Sequence, residues 1–341
     1  MHRICLACIL FFCFCLQSCQ TEKPMPVIPA FYYWQTNLNL SNEQLTYLGK
    51  LRCKKLYVKI ADIGLEEGSG EVVPYTQLSI GDSVRLEKFE VARVVFITNE
   101  VFRKIKPEKI SWLADKLSEL NDRYHFPNDS AGSYEFQVDC DWTESTRESF
   151  FHFLNELKGR LPQQASLSAT IRLHQYKFPD RTGVPPVDRG MLMCYNTGDI
   201  DSPGESNSIL DLEDAKKYLQ GKHRAYPLPL DVALPVFSWT LVYRDEELWK
   251  IIPGSVNDAS EGELTAGTYQ SGHYLRPGDF LRRETISADL LKDAVRLAAS
   301  ATLADDGTLA FFALDKTTLS AYPVQLIDDV CLIADSIRVK Q

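Results

Sequence analysis

Several signatures that would announce a chemistry are missing from this 341-residue chain. No Gly-x-Ser-x-Gly elbow and no His-Glu-x-x-His motif is present, so serine-hydrolase and zincin readings have no local support. No Gly-rich phosphate loop follows the first strand-like run, which ends at Thr36. Positive charge is in deficit: 37 Lys+Arg against 46 Asp+Glu leave a net charge of -9, which repels phosphates and argues against nucleic acid as a partner. Beyond residue 19 only Cys53, Cys140, Cys194 and Cys331 remain, widely spaced and without a C-x-x-C pair. That spacing argues against a structural zinc site and favours buried free thiols, although an oxidising compartment leaves room for disulfides. His174 and His273 share no ligand spacing with other His or Cys, and no metal or cofactor is expected.

The one pronounced apolar run is at the front. His2 and Arg3 precede Ile4 to Leu16, a stretch too short to span a bilayer of about 30 Å, and it reads as a signal peptide over residues 1–18. It closes on Leu16-Gln17-Ser18-Cys19, which looks like a lipobox, making Cys19 the expected lipidated N-terminus and residues 19–27 a short polar tether. Loss of residues 1–18 removes Arg3 and no acid, which takes the charge to -10. The expectation is an exported protein of the bacterial cell envelope, held to the inner or outer membrane by lipid.

Hydrophobic residues at 45% and charged residues at 24% suit a globular domain, and no repeat or low-complexity tract interrupts the chain. Strand-like runs alternate with helical patterns. Strands are predicted over 28–36, 54–62, 90–99, 134–142, 166–176, 190–196, 230–243 and 309–314. Helices are predicted from the Ser41 N-cap to 53, over 107–122, from a Ser145/Glu148 capping box to 160, and over 212–219, 287–303 and 324–336. This order predicts a single (β/α)8 TIM-type barrel over 28–341, with insertions after strands 2 and 7 at 63–89 and 244–286; an open doubly wound sheet is the alternative.

Alternation on the fourth strand puts Phe136, Val138, Cys140 and Trp142 on one face and Gln137, Asp139 and Asp141 on the other. In a barrel the apolar face packs on helices, so the acids look inward, near the C-terminal end where barrel active sites lie. The fifth strand turns Thr170, Arg172 and His174 inward, and buried carboxylates need a cation, so an Asp139 or Asp141 contact with Arg172 is required. Such a pair either fills the barrel or serves a site. Tyr195 and Trp239 either line the mouth or belong to the core, as do Tyr33, Trp34 and Tyr57; Lys59 is either a partner for Asp139 or a rim residue.

Residues 136–144, Phe-Gln-Val-Asp-Cys-Asp-Trp-Thr-Glu, resemble the Asp-x-x-Asp-x-Asp-x-Glu signature of the chitinase-like family 18 glycoside hydrolases, with Asp139 and Asp141 on its second and third acids. Met193-Cys194-Tyr195 is similar to that family's Met-x-Tyr motif, which implies that Tyr195 contacts substrate; Trp239 resembles its aromatic floor. The signature's first acid falls on Phe136 and its general acid on Thr143, which cannot protonate a leaving oxygen at neutral pH. Glu144 replaces it only if the strand end bulges. The chain also resembles an uncharacterised group of exported bacterial barrel proteins with a Gln-x-Asp-x-Asp fourth strand.

Two functions follow. One is a glycoside hydrolase with Asp139, Asp141 and Glu144 as catalytic residues and Gln137, Arg172, Tyr195 and Trp239 on the substrate, a neutral or amino-sugar glycan. A second carboxylate across the scissile bond would then come from Glu144, Glu100, Asp199 or Asp315. The other is a non-catalytic lipoprotein that binds a glycan or an envelope partner. A mouth plugged by side chains, with both aspartates neutralised by Arg172, would favour the second.

Overall fold

Eight β-rich runs of the sequence each become one parallel strand of a closed barrel. In the computed structural model these are β1 (Pro29–Tyr33), β2 (Lys55–Leu65), β3 (Glu90–Ile97), β4 (Glu135–Asp139), β5 (Ser166–Arg172), β6 (Arg189–Met193), β7 (Leu230–Pro235) and β8 (Leu309–Phe312). Each strand pairs in parallel with the next, and β1 closes the ring on both sides through Phe31↔Leu56 and Pro29↔Leu309. The structure describes residues 26–81, 85–129, 133–204, 207–221, 226–254, 261–304 and 306–338. The predicted signal peptide, Cys19 and most of the tether lie outside them. Val27, at the tether's end, is buried, and its N–H donates to Asp335 at 2.8 Å.

The outward face of the strands and the helices form one large core. The inward face forms a second, smaller one from Ala30, Tyr32, Tyr57, Ala92, Val94, Met191, Met193, Tyr195, Ala233 and Ala310. Alanines on β1, β3, β7 and β8 make room for the tyrosines, as in a filled barrel. The four cysteines Cys53, Cys140, Cys194 and Cys331 are buried and unbridged.

Helices Asn42–Lys50, Pro107–Asn121, Leu212–Leu219, Ala288–Thr302 and Val324–Arg338 follow their patterns closely, and Ser41 forms a full capping box with Gln44. The expected Ser145/Glu148 box does not form. The helix Arg147–Lys158 starts from Thr146, Ser145 Oγ lies 3.0 Å from Thr143 Oγ1, and Glu148 pairs with Arg147. The run 230–243 also divides. The barrel strand stops at Pro235, and Trp239–Arg244 begins an antiparallel side sheet with Glu247–Pro253, Phe280–Glu284 and Gly262–Glu263. Both halves are apolar, so alternation alone could not mark the break. The first insertion adds the strand Val72–Gln77 antiparallel to the end of β2.

Candidate functional site

The C-terminal strand ends surround a cavity of about 660 Å³. Its wall is aromatic and continuous: Trp34 lies 5.1 Å from Phe312 between ring centres, Tyr195 5.4 Å and Phe237 5.8 Å from Phe312, and Trp239 5.3 Å from Phe237. Trp239 comes from the side sheet, which thereby closes one side of the mouth. Its indole N–H donates to Glu284 at 2.6 Å. Glu284 also accepts from Ser208 Oγ at 2.7 Å and from the Ile209 N–H, and it pairs with Arg282 at 2.7 Å. The tryptophan is therefore oriented by a buried carboxylate with several other partners.

The floor carries the acids. Asp139, 5% exposed at the end of β4, accepts from Thr170 Oγ1 at 2.7 Å. Burial pushes its carboxyl up to about 6; Arg172 pulls it down, while Asp141 and Asp62 add to the rise. Asp141 is held at both oxygens by Arg172, from Nε to Oδ1 and from Nη2 to Oδ2 at 3.0 Å. The required cation is thus Arg172, and its direct partner is Asp141. Tyr195 is almost wholly buried, 5.9 Å below the Arg172 guanidinium, with its hydroxyl donating to Met193 Sδ at 3.4 Å.

The structure brings Asp139, Asp141, Arg172, Tyr195 and Trp239 together on the cavity wall. Gln137 lies one layer beneath, fully buried, accepting from the Tyr32 hydroxyl at 2.6 Å and donating to Ser168 Oγ at 3.2 Å. Glu144 lies outside the cavity, its side chain 61% exposed and 3.5 Å from Arg181, because no bulge reverses the end of β4. Glu100 is outside as well, paired with Arg103 and Lys104. Asp199 does not line the cavity; Asp315 does, and caps the helix Lys316–Ala321 through the Thr317 and Thr318 N–H groups. His174 falls not on β5 but on the short helix Leu173–Lys177, and is exposed.

One lining carboxylate went unread in the sequence. Asp62, on β2, reaches the cavity with its Oδ2 accepting from Lys59 Nζ at 2.8 Å and from Thr76 Oγ1. Lys59 thus pairs with Asp62, with its ammonium 4.9 Å from the Trp34 ring centre. Unbroken alternation from Tyr57 and Lys59 turns Asp62 outward, and the bulge between Lys59 and Ala61 brings it in. Among the described residues no group of three or more His, Cys, Asp or Glu could hold a metal ion.

The raised proton affinity of Asp139 has a measurable sign. The ordinary value is 3.8, so between about 4 and about 6 the folded state keeps a proton that the unfolded chain has released. Stability from this group therefore falls as pH rises through that window. Asp139→Asn should be more stable than the wild type at pH 7.5, by on the order of 2 kcal/mol, and equal to it near pH 4. Urea titrations at the two pH values check this; an equal difference at both would contradict it.

No protein-family model and no curated protein matches the sequence. Solved structures do. The spore cortex-lytic enzyme SleL of Bacillus cereus superposes with a TM-score of 0.51 at 12% identity, covering 90% of this chain and 74% of that one. A chitinase from Bacteroides thetaiotaomicron superposes with a TM-score of 0.50 at 11% identity, covering 90% of this chain and 97% of that one. At these identities the likeness is one of fold alone, a TIM-type barrel.

Proposed function

We propose that this protein binds a glycan of neutral or amino sugars in the barrel mouth without cleaving it, at the bacterial cell envelope, tethered through a lipid on Cys19. One observation carries the reading: each carboxylate of the mouth already holds a partner at one oxygen or both, and none stands where the signature's proton donor would. Asp62 is bound by Lys59 and Thr76, Asp139 by Thr170, Asp141 by both arms of Arg172, and Asp315 by the helix it caps. No glutamate lines the cavity among the described residues, and in the resemblance to the family 18 signature the proton donor's place falls on Thr143. Glycoside cleavage needs a carboxyl group placed to give a proton to the leaving oxygen. Binding needs only the open cavity and its aromatic wall, and the mouth is not plugged. The net negative charge favours neutral or amino sugars over polyanions. The apolar run Ile4 to Leu16 and the Leu-Gln-Ser-Cys closing it support the lipid anchor.

Hydrolysis is the second reading, favoured by the elevated proton affinity of Asp139 and by the likeness to chitinases. One experiment separates the two. Residues 20–341, incubated with chitin, peptidoglycan and N-glycan oligosaccharides, should bind at least one by calorimetry and yield no new mass in the spectrometer. Products that vanish with Asp141→Asn would establish a glycosidase instead, and absence of binding would defeat both. Expressed in bacteria, the full chain should sediment with membranes, and Cys19→Ala should release it.

A further inference from the structure

We infer that the mouth prefers saccharides carrying a free ammonium group, of the glucosamine type, over their N-acetylated counterparts. This deepens the glycan-binding reading and rests on it. Asp62, Phe96 and Asp139 are register partners on β2, β3 and β4, so the two aspartates stand in one layer of the barrel. With one strand between them, their Cα atoms are about 10 Å apart. Asp62 is close enough to Asp139 to raise its proton affinity, and both line the cavity.

Each of the two has one oxygen to spare. Lys59 and Thr76 both donate to Oδ2 of Asp62, and Thr170 donates to Oδ1 of Asp139. Asp62 Oδ1 and Asp139 Oδ2 accept from no group among the described residues. Asp139 is more than nine-tenths buried, so its free oxygen has no access to bulk water except through the cavity. Neither oxygen is sealed from the cavity, and an ammonium there supplies three donors together with the opposite charge.

The charge balance points the same way. Four aspartates line the mouth, opposed by Arg172 on its wall and Lys59 behind Asp62, so two negative charges remain. An acetamido group brings no positive charge and a single N–H donor, whereas an ammonium brings three donors and is drawn by its charge to the carboxylates and to the faces of Trp34 and Trp239.

The test is calorimetry at pH 7 with three β-1,4-linked tetramers, of glucosamine, N-acetylglucosamine and glucose, at low and high salt. The glucosamine tetramer should bind about tenfold tighter than the other two, and salt should weaken it selectively. Asp62→Asn and Asp139→Asn should each cut that preference to about threefold or less while binding of the N-acetylated tetramer persists, which also shows that the variants are folded. Equal or tighter binding of the N-acetylated tetramer, or a preference that survives both substitutions, overturns the inference and leaves the glycan reading standing. Binding of no tetramer overturns both.

Discussion

Trp239→Ala should lower saccharide affinity about 30-fold, while the melting temperature falls by only a few degrees. The indole is half-buried and forms the outer wall of the mouth, with its ring against Phe237. Stacking on a sugar face buries both apolar surfaces, and wall aromatics of this kind dominate binding energies. The structural cost is small because Glu284, the acceptor of the indole N–H, keeps Ser208, the Ile209 N–H and Arg282 when the indole is lost. Trp239→Phe separates the two roles: it retains a ring but loses the hydrogen bond, so affinity should fall only about threefold. Calorimetry with the best-bound oligosaccharide decides. If the alanine variant binds like the wild type, the aromatic wall is not the binding surface and the mouth is the wrong place to look.

The barrel was legible because its physics is local. A parallel strand covered on the outside by helices shows an apolar alternate face, and seven of the eight strands did so within a few residues of their observed limits. The break at Pro235 was not legible, because strand β7 and the first side-sheet strand are both apolar and only their partners differ. Trp239 was accordingly read as part of a barrel strand, when it belongs to an insertion that folds over the mouth. The early end of β5 had the same origin: Leu173 continues the apolar pattern, yet Gln175 turns the chain by donating to the Trp142 carbonyl at 2.8 Å, a contact between distant residues.

The site was legible where alternation decides and illegible where depth does. Asp139, Gln137 and Arg172 were all assigned inward, and all point inward, but period two cannot say which layer of the barrel is open. Gln137 therefore read as a ligand contact although it is sealed under Tyr32 and Ser168. Asp62 was missed for a converse reason. Its strand carries a bulge between Lys59 and Ala61, which shifts the alternation, so the face of Asp62 could not be followed from Tyr57.

Trp142→Ala should be the most destabilising single change near the site, costing about 3–5 kcal/mol and lowering the melting temperature by on the order of 10 °C. Trp142 is completely buried, its ring is stacked on Phe150 at 5.2 Å, and its indole N–H donates to the Thr182 carbonyl at 2.9 Å. Its own carbonyl accepts from Gln175, so it ties the segment leaving β4 to the chain following β5. Removing the ring leaves a cavity and strands a buried carbonyl, two costs that add. Asp141 precedes Trp142 directly and reaches Arg172 across the same two segments, so loosening this anchor should also weaken the carboxylate–guanidinium clamp. Trp142→Phe should recover most of the loss, leaving about 1–2 kcal/mol for the missing hydrogen bond. Thermal and urea unfolding of the three proteins measure this. An alanine variant that melts within about 2 °C of the wild type would mean that the indole is not packed as described, and that Asp141 owes its position to Arg172 alone.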